Sequence, residues 1–167
     1  MANIVKYSND SIKKIPVEQF AGKTFDIISG EMVILPTKTN VTIRTLLGSC
    51  VAICLIDEVA GLLAVNHFLT PAYTEDFKSG LFSTNKMLSE LIKLGANLEN
   101  IQAKVYGGAN INQLKLFKTN IGEMNSDFAF DYLKYKKIPI LKYKIQLTKG
   151  LVIQVKNNFD INTKELG

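Results

Sequence analysis

The 167-residue chain has one histidine, His67, and two cysteines, Cys50 and Cys54. A single imidazole cannot assemble a histidine-rich metal site. Any Cys–His chemistry must therefore use His67, with Cys50 or Cys54 as its thiol. In an extended run, Cys50 and Cys54 would share one face but lie about 13 Å apart, too far for a disulfide. Free thiols are expected. No stretch approaches the ~20 apolar residues needed to cross a bilayer. The opening residues, Met1 to Tyr7, lack the apolar core and small-residue cleavage site of a secretory signal. The expectation is a cytoplasmic protein with no membrane insertion. Internal repeats and low-complexity segments are also missing.

What is present fits a globular domain. Hydrophobic residues make up 47% and charged residues 21%, enough for one core and too apolar for disorder. The formal charge is +5, with Lys134, Lys136, Lys137, Lys142, Lys144 and Lys149 late in the chain. Such a basic face is either simply solvated or steers an acidic partner. The aromatics among these lysines form no RNA- or DNA-binding motif, so no nucleic-acid partner is expected.

Residues 1–24 are mixed and polar and are expected to form a weakly ordered extension or a docking segment. Residues 25–35 hold two short apolar runs around Ser29-Gly30, which suggests a hairpin. Thr42 to Leu46 is strand-like. Leu47-Gly48-Ser49-Cys50 bends the chain, and Val51 to Ile56 is a continuous apolar run typical of a strand buried on both faces. Asp57 to Gly61 reads as a turn, and Leu62 to Phe68 as a second strand antiparallel to the first. Residues 72–82 read as an exposed loop. A helix capped near Ser83–Lys86 follows and ends at Gly95. Ala103 to Tyr106 reads as a strand leading into Gly107-Gly108-Ala109-Asn110. A second helix is expected over about Gly122 to Lys136. Ile145–Leu147 and Leu151–Val155 are expected to pair as a hairpin, and residues 157–167 to fray. This predicts an α/β (α+β) layered sandwich: a mixed, largely antiparallel sheet with two main helices, its core within residues 25–156.

Cys50 is the better placed thiol. It sits where a glycine-containing bend meets a buried strand. Gly48 lets the backbone approach a substrate, and nearby amide N–H groups can face an incoming carbonyl oxygen. Cys54, in the middle of the apolar run, reads as a core residue. The midpoint between Cys50 and His67 falls inside the Asp57–Gly61 turn, so the two would oppose one another across a hairpin, about 4.5–5.5 Å apart at Cβ. An imidazole beside a thiol activates it as a nucleophile. A buried cysteine and an unrelated histidine remain the alternative at this point.

Four segments then carry a resemblance. Thr45-Leu46-Leu47-Gly48-Ser49-Cys50-Val51-Ala52-Ile53-Cys54-Leu55 resembles the nucleophile motif of the CheD family. Gly61 to Leu69 with Pro71 resembles its histidine segment, and Ala103 to Asn110 its glycine-rich loop. Asn120-Ile121-Gly122-Glu123 with Asn125 resembles its Ile-Gly-x-x-Asn helix start. The resemblance implies a deamidase that converts glutamine to glutamate on bacterial chemoreceptors and also hydrolyses glutamyl methyl esters. Cys50 would be the nucleophile, His67 the base and Thr45 the assisting threonine, with Gly48, Ser49, Gly107 and Gly108 near the substrate. It implies no cofactor and no metal. The implied partners are receptor cytoplasmic domains and a CheC-type phosphatase. The alternative function is a non-catalytic or weakly catalytic regulatory binding partner of that phosphatase. The chain departs from the family pattern at Lys142–Ile145 and at Phe77–Ser83.

Overall fold

A computed structural model describes residues 2–72, 74–110 and 120–167. Strand β6 (Val51–Asp57) lies at its centre, and all seven of its residues are buried. This is the continuous apolar run of the sequence, and it is buried because a layer covers each of its faces. On one face, Val51, Ile53 and Leu55 pack with helices α1 (Gly80–Lys93) and α2 (Ile121–Tyr135) through Met87, Leu91, Ala129 and Leu133. On the other, Ala52, Cys54 and Ile56 pack with Ile43, Leu47, Ile153 and Val155 of a second sheet.

The larger sheet has seven strands in the order β2-β1-β4-β7-β6-β8-β9. Besides β6 they are β1 (Asn3–Tyr7), β2 (Ile12–Pro16), β4 (Glu31–Pro36), β7 (Leu62–His67), β8 (Ile101–Gly107) and β9 (Ile140–Ile145). The smaller sheet, β11-β10-β5-β3, contains β3 (Lys23–Asp26), β5 (Val41–Leu47), β10 (Leu151–Val155) and β11 (Ile161–Glu165). The molecule is thus a three-layer α+β sandwich: helices, seven-stranded sheet, four-stranded sheet. The expected class, mixed sheets with two main helices, is the observed one.

Several local expectations fail, each for a physical reason. The apolar runs in residues 25–35 do not form a hairpin. β3 pairs in parallel with β5, whereas β4 joins β1 and β7, so the chain changes sheets at Ser29-Gly30. Residues 1–24 are not a loose extension. β1 and β2 pair over Asn3–Pro16 and extend the large sheet, burying Ile4 and Tyr7. The three exposed positions of β2, with Lys13 and Lys14 among them, are typical of an edge strand and mask its pattern. The C-terminal residues are not frayed, because β11 pairs with β10 along its whole length. Lys104 Nζ donates to Phe159 O at 2.7 Å and lies over the Phe159 ring, anchoring the turn before β11.

The segment after Pro139 forms β9, which runs parallel to β8 instead of pairing with β10. Helix α1 starts earlier than expected. Its cap is Ser79, whose Oγ accepts from Phe82 N, and Ser83 and Thr84 are buried inside the helix. A side chain at Gly80 would strike the rings of Phe128 and Phe68, so only glycine lets the helix begin there. The expected exposed loop at 72–82 lies partly outside the described residues at Tyr73. Within it, Phe77 and Ser79 are buried.

Candidate active site

The Cys50 end of β6 meets β5 of the opposite sheet and the end of β7. Thr45, on β5, is buried between the two sheets. Its Oγ1 donates to Ile27 O at 2.8 Å and lies 2.7 Å from His67 Nδ1. A hydroxyl carries one proton, and a backbone carbonyl carries none. With that proton directed to Ile27 O, the Thr45 oxygen accepts from Nδ1–H. This bookkeeping sets the neutral imidazole in the Nδ1–H tautomer and leaves Nε2 with a free lone pair, the state a general base needs. Gly30 N donates to His67 O at 2.9 Å, so the sheet-changing turn at 27–30 fixes both the side chain and the backbone of the histidine.

The hairpin register differs from the expected one by two residues. Cys54 is opposite Val65, and the isolated Val51–Phe68 bridge continues the same alignment. Cys50 therefore faces Leu69, and His67 faces Ala52. A shift of two keeps the faces, so Cys50 and His67 are diagonal neighbours on the inter-sheet side, a position that in a regular ladder corresponds to about 7–8 Å. The ladder opens between these pairs because Asn66 takes over a strand bond. Its Oδ1 accepts from Ile53 N at 2.8 Å, and its Nδ2 donates to Thr84 Oγ1 of α1 at 3.1 Å.

Burial sets the resting protonation. His67 is 4% exposed, and desolvation lowers its pKa to about 4, with the nearby Glu31 carboxylate acting in the opposite direction. Cys50 is half-buried. Desolvation raises its pKa, while Ser29 and the residue's own backbone N–H pull it down. Ser29 Oγ is sealed from solvent and makes no full hydrogen bond among the described residues, so its effect on the thiol is that of a close polar neighbour. Both groups rest neutral, and the thiol proton moves only when the sulfur attacks. Cys54 is fully buried, and its pKa is pushed far up by desolvation.

Gly107 and Gly108 both have positive φ, and a side chain at either would collide with neighbouring atoms, at Gly107 with the Cys50 carbonyl and at Gly108 with Ser126. Their role differs from the expected substrate contact at one atom, since the Gly108 N–H already donates to Cys50 O at 2.8 Å. The loop backs the nucleophile. Ala109 N similarly holds Gly48 O at 2.9 Å, so Gly48 and Ser49 are fixed from behind. Sequence reasoning missed the Ile27 carbonyl, Ser29 and Glu31, and gave Asn125 no role. Only Asn125 left a signal, as part of the quoted helix-start motif. Among the described residues, no group of three or more His, Cys, Asp or Glu could hold a metal ion.

The family model described as CheD chemotactic sensory transduction matches residues 67–163. The Shewanella oneidensis protein named probable chemoreceptor glutamine deamidase CheD 1 is 35% identical over 143 residues, covering 81% of this chain and 62% of that protein. The proteins named probable chemoreceptor glutamine deamidase CheD from Laribacter hongkongensis and Rhizobium etli are 37% and 36% identical. They cover 69% and 75% of this chain, and 58% and 70% of their own lengths. The chain thus spans about three fifths of the first two relatives. A match from His67 through the glycine-rich loop and both C-terminal strand pairs, together with these identities, shows that the chain belongs to the CheD family.

Proposed function

We propose that the protein is a cysteine-dependent deamidase of glutamine side chains on bacterial chemoreceptors. The observation that carries this reading is the Ile27–Thr45–His67 chain, which presents a neutral imidazole with a free Nε2 on the face that carries Cys50. The names of the relatives supply the substrate class. Cys50 Sγ attacks the carboxamide carbon while His67 Nε2 takes the thiol proton, giving a tetrahedral oxyanion. The imidazolium returns that proton to the nitrogen as the C–N bond breaks, so ammonia leaves and a thioester remains. Water then attacks the thioester, giving its proton to Nε2. The C–S bond breaks, glutamate forms and the thiol is restored. A glutamyl methyl ester enters the same thioester with methanol leaving, so esterase activity belongs to the same proposal.

The test is mass spectrometry of a receptor cytoplasmic domain incubated with wild-type protein or Cys50→Ala. A gain of about 1 Da at defined glutamines with wild type alone supports the reading, because hydrolysis replaces NH2 with OH. The same gain with Cys50→Ala sinks it. Family membership also supports a CheC-type phosphatase as partner. Co-purification with such a phosphatase tests this, and absence of a complex at micromolar concentrations removes it. Free thiols suit a reducing compartment, and among the described residues no helix is long and apolar enough to cross a membrane. We place the activity in the cytoplasm.

A further inference from the structure

Three successive carbonyls around the nucleophile are held from behind. Ala109 N donates to Gly48 O at 2.9 Å and Gly108 N to Cys50 O at 2.8 Å. The middle one, Ser49 O, is held by a side chain from a different element: Asn125 Nδ2, on α2, donates to it at 2.9 Å. The same nitrogen donates to Leu69 O, also at 2.9 Å. Both acceptors are carbonyl oxygens without protons, which assigns the amide orientation. Asn125 is wholly buried.

The peptide bonds here are trans, and in a trans peptide the N–H points opposite to the preceding C=O. Turning the Ser49 carbonyl toward α2 therefore turns the Cys50 N–H away from it. Among the described residues, neither the Ser49 nor the Cys50 amide donates to a protein acceptor, apart from the Cys50 N–H bearing on its own sulfur. An unused donor beside the attacking sulfur is the geometry a tetrahedral oxyanion requires. The Asn125 Oδ1 atom is buried and has no donor among the described residues. An orphaned acceptor is unfavourable, and it is tolerated here for the two bonds that Nδ2 makes to the Ser49 and Leu69 carbonyls.

We propose that Asn125 is the positioning residue of the oxyanion hole: it holds the Ser49–Cys50 peptide so that the Cys50 N–H faces the carbonyl oxygen of the substrate carboxamide. The proposal rests on the thiol deamidase reading. Its second bond, to Leu69 O, braces the same amide against the chain that follows β7, so the Ser49 carbonyl is held from a fixed point.

The test compares wild type, Asn125→Leu and Asn125→Ala in the full chain, with receptor cytoplasmic domain as substrate. Cys50 alkylation by iodoacetamide is measured alongside, since that displacement develops no oxyanion. In the variants kcat falls about 10²–10³-fold, the cost of losing an oxyanion donor. KM and the alkylation rate change by less than about threefold. Unchanged kcat overturns the proposal. So does a parallel fall in alkylation, which would mean that Asn125 acts through the thiol or His67. A measurement on wild type is independent of how the variants fold. Reaction of 15N-labelled protein with a peptide bearing a glutamyl aldehyde joins Sγ to the aldehyde carbon and moves the thiol proton to its oxygen. The Cys50 amide proton then shifts downfield and exchanges more slowly; an unmoved resonance overturns the proposal. Turnover by Cys50→Ala would instead break the underlying deamidase reading, so the two failures are distinguishable.

Discussion

Cys50 and Cys54 lie on the same face of one strand region and differ in almost everything that governs reactivity. Cys54 sits among Ala52, Ile56, Val65 and Tyr106 in the inter-sheet core and touches no solvent. Cys50 lies four residues earlier, where the loop meets β6. It keeps partial exposure, has Ser29 beside it and shares its face with His67. The same chemical group is thus inert filler in one place and a candidate nucleophile in the other. Exposure and a proton acceptor make the difference, since a thiol reacts as its thiolate. The largest expected effect breaks the comparison at its active end. Cys50→Ala removes the thiol from a half-buried site, so deamidation falls by about 10⁴-fold or more. Circular dichroism and melting temperature stay close to wild type. Receptor mass spectrometry checks it, and comparable turnover by the variant would leave the two thiols with no functional difference.

The second effect concerns the imidazole that distinguishes the two sites. His67 titrates near 4 in the fold and near 6.5 when unfolded. Between these values the unfolded chain binds more protons, so stability rises with pH. The protein therefore loses stability as pH falls from about 6.5 to about 4, by up to about 3 kcal/mol from this group. Denaturant melts of wild type and His67→Gln across that range isolate it from the titrating carboxylates. The wild-type curve falls more steeply, and parallel curves would mean that the imidazole is not desolvated. Catalysis keeps a neutral base throughout the range above about 4.

The central hairpin and the two helices were legible because they depend on local pattern, whereas Cys50 and His67 were candidates by scarcity and spacing and Thr45 by resemblance to the CheD family. A short apolar run bounded by turn residues fits a doubly covered strand, and a lone histidine leaves one imidazole to choose. The register was off by two because the turn closes on the Asp57–Leu62 pair, one residue later than the midpoint of Cys50 and His67; the Asn66 amide, bonded to Ile53 N, interrupts the ladder without shifting it. The edge strands β2 and β11 were missed because edges carry lysines and polar residues on positions that face water, and β1 was missed with the partner β2 that flanks it. The parallel pairing of β9 with β8 depends on α2 crossing between them, a topological fact beyond the reach of a hairpin rule. The Ile27 carbonyl, which sets the tautomer of His67, is backbone, and any residue type would supply it.

Thr45 sharpens the comparison by testing whether the imidazole must be oriented as well as present. Thr45→Val keeps the shape but removes the hydroxyl, leaving Ile27 O and Nδ1–H without their shared partner. kcat should fall about 10–100-fold, a loss of roughly 1.4–2.7 kcal/mol at the transition state. Thr45→Ser, which retains the hydroxyl, should stay within a few-fold of wild type. Equal rates for the two variants would show that the contact is structural only.

The smallest effect is at the inert thiol. Cys54→Ala deletes one buried sulfur from a closed cluster, and the cost is that of a small cavity, about 1 kcal/mol. Urea melts should show that loss with an unchanged slope, while kcat and the alkylation rate of Cys50 stay at wild-type values. Cys54 projects into the apolar layer between the sheets, and Lys104, on the neighbouring strand at the paired position, is directed to the Phe159 carbonyl. No base is at hand, and the thiol pKa is far above neutrality. If Cys54→Ala abolished turnover in a folded protein, the nucleophile would have been assigned to the wrong end of the strand. Loss of stability with full turnover would show that a single face of one strand holds a packing thiol and a reactive thiol side by side.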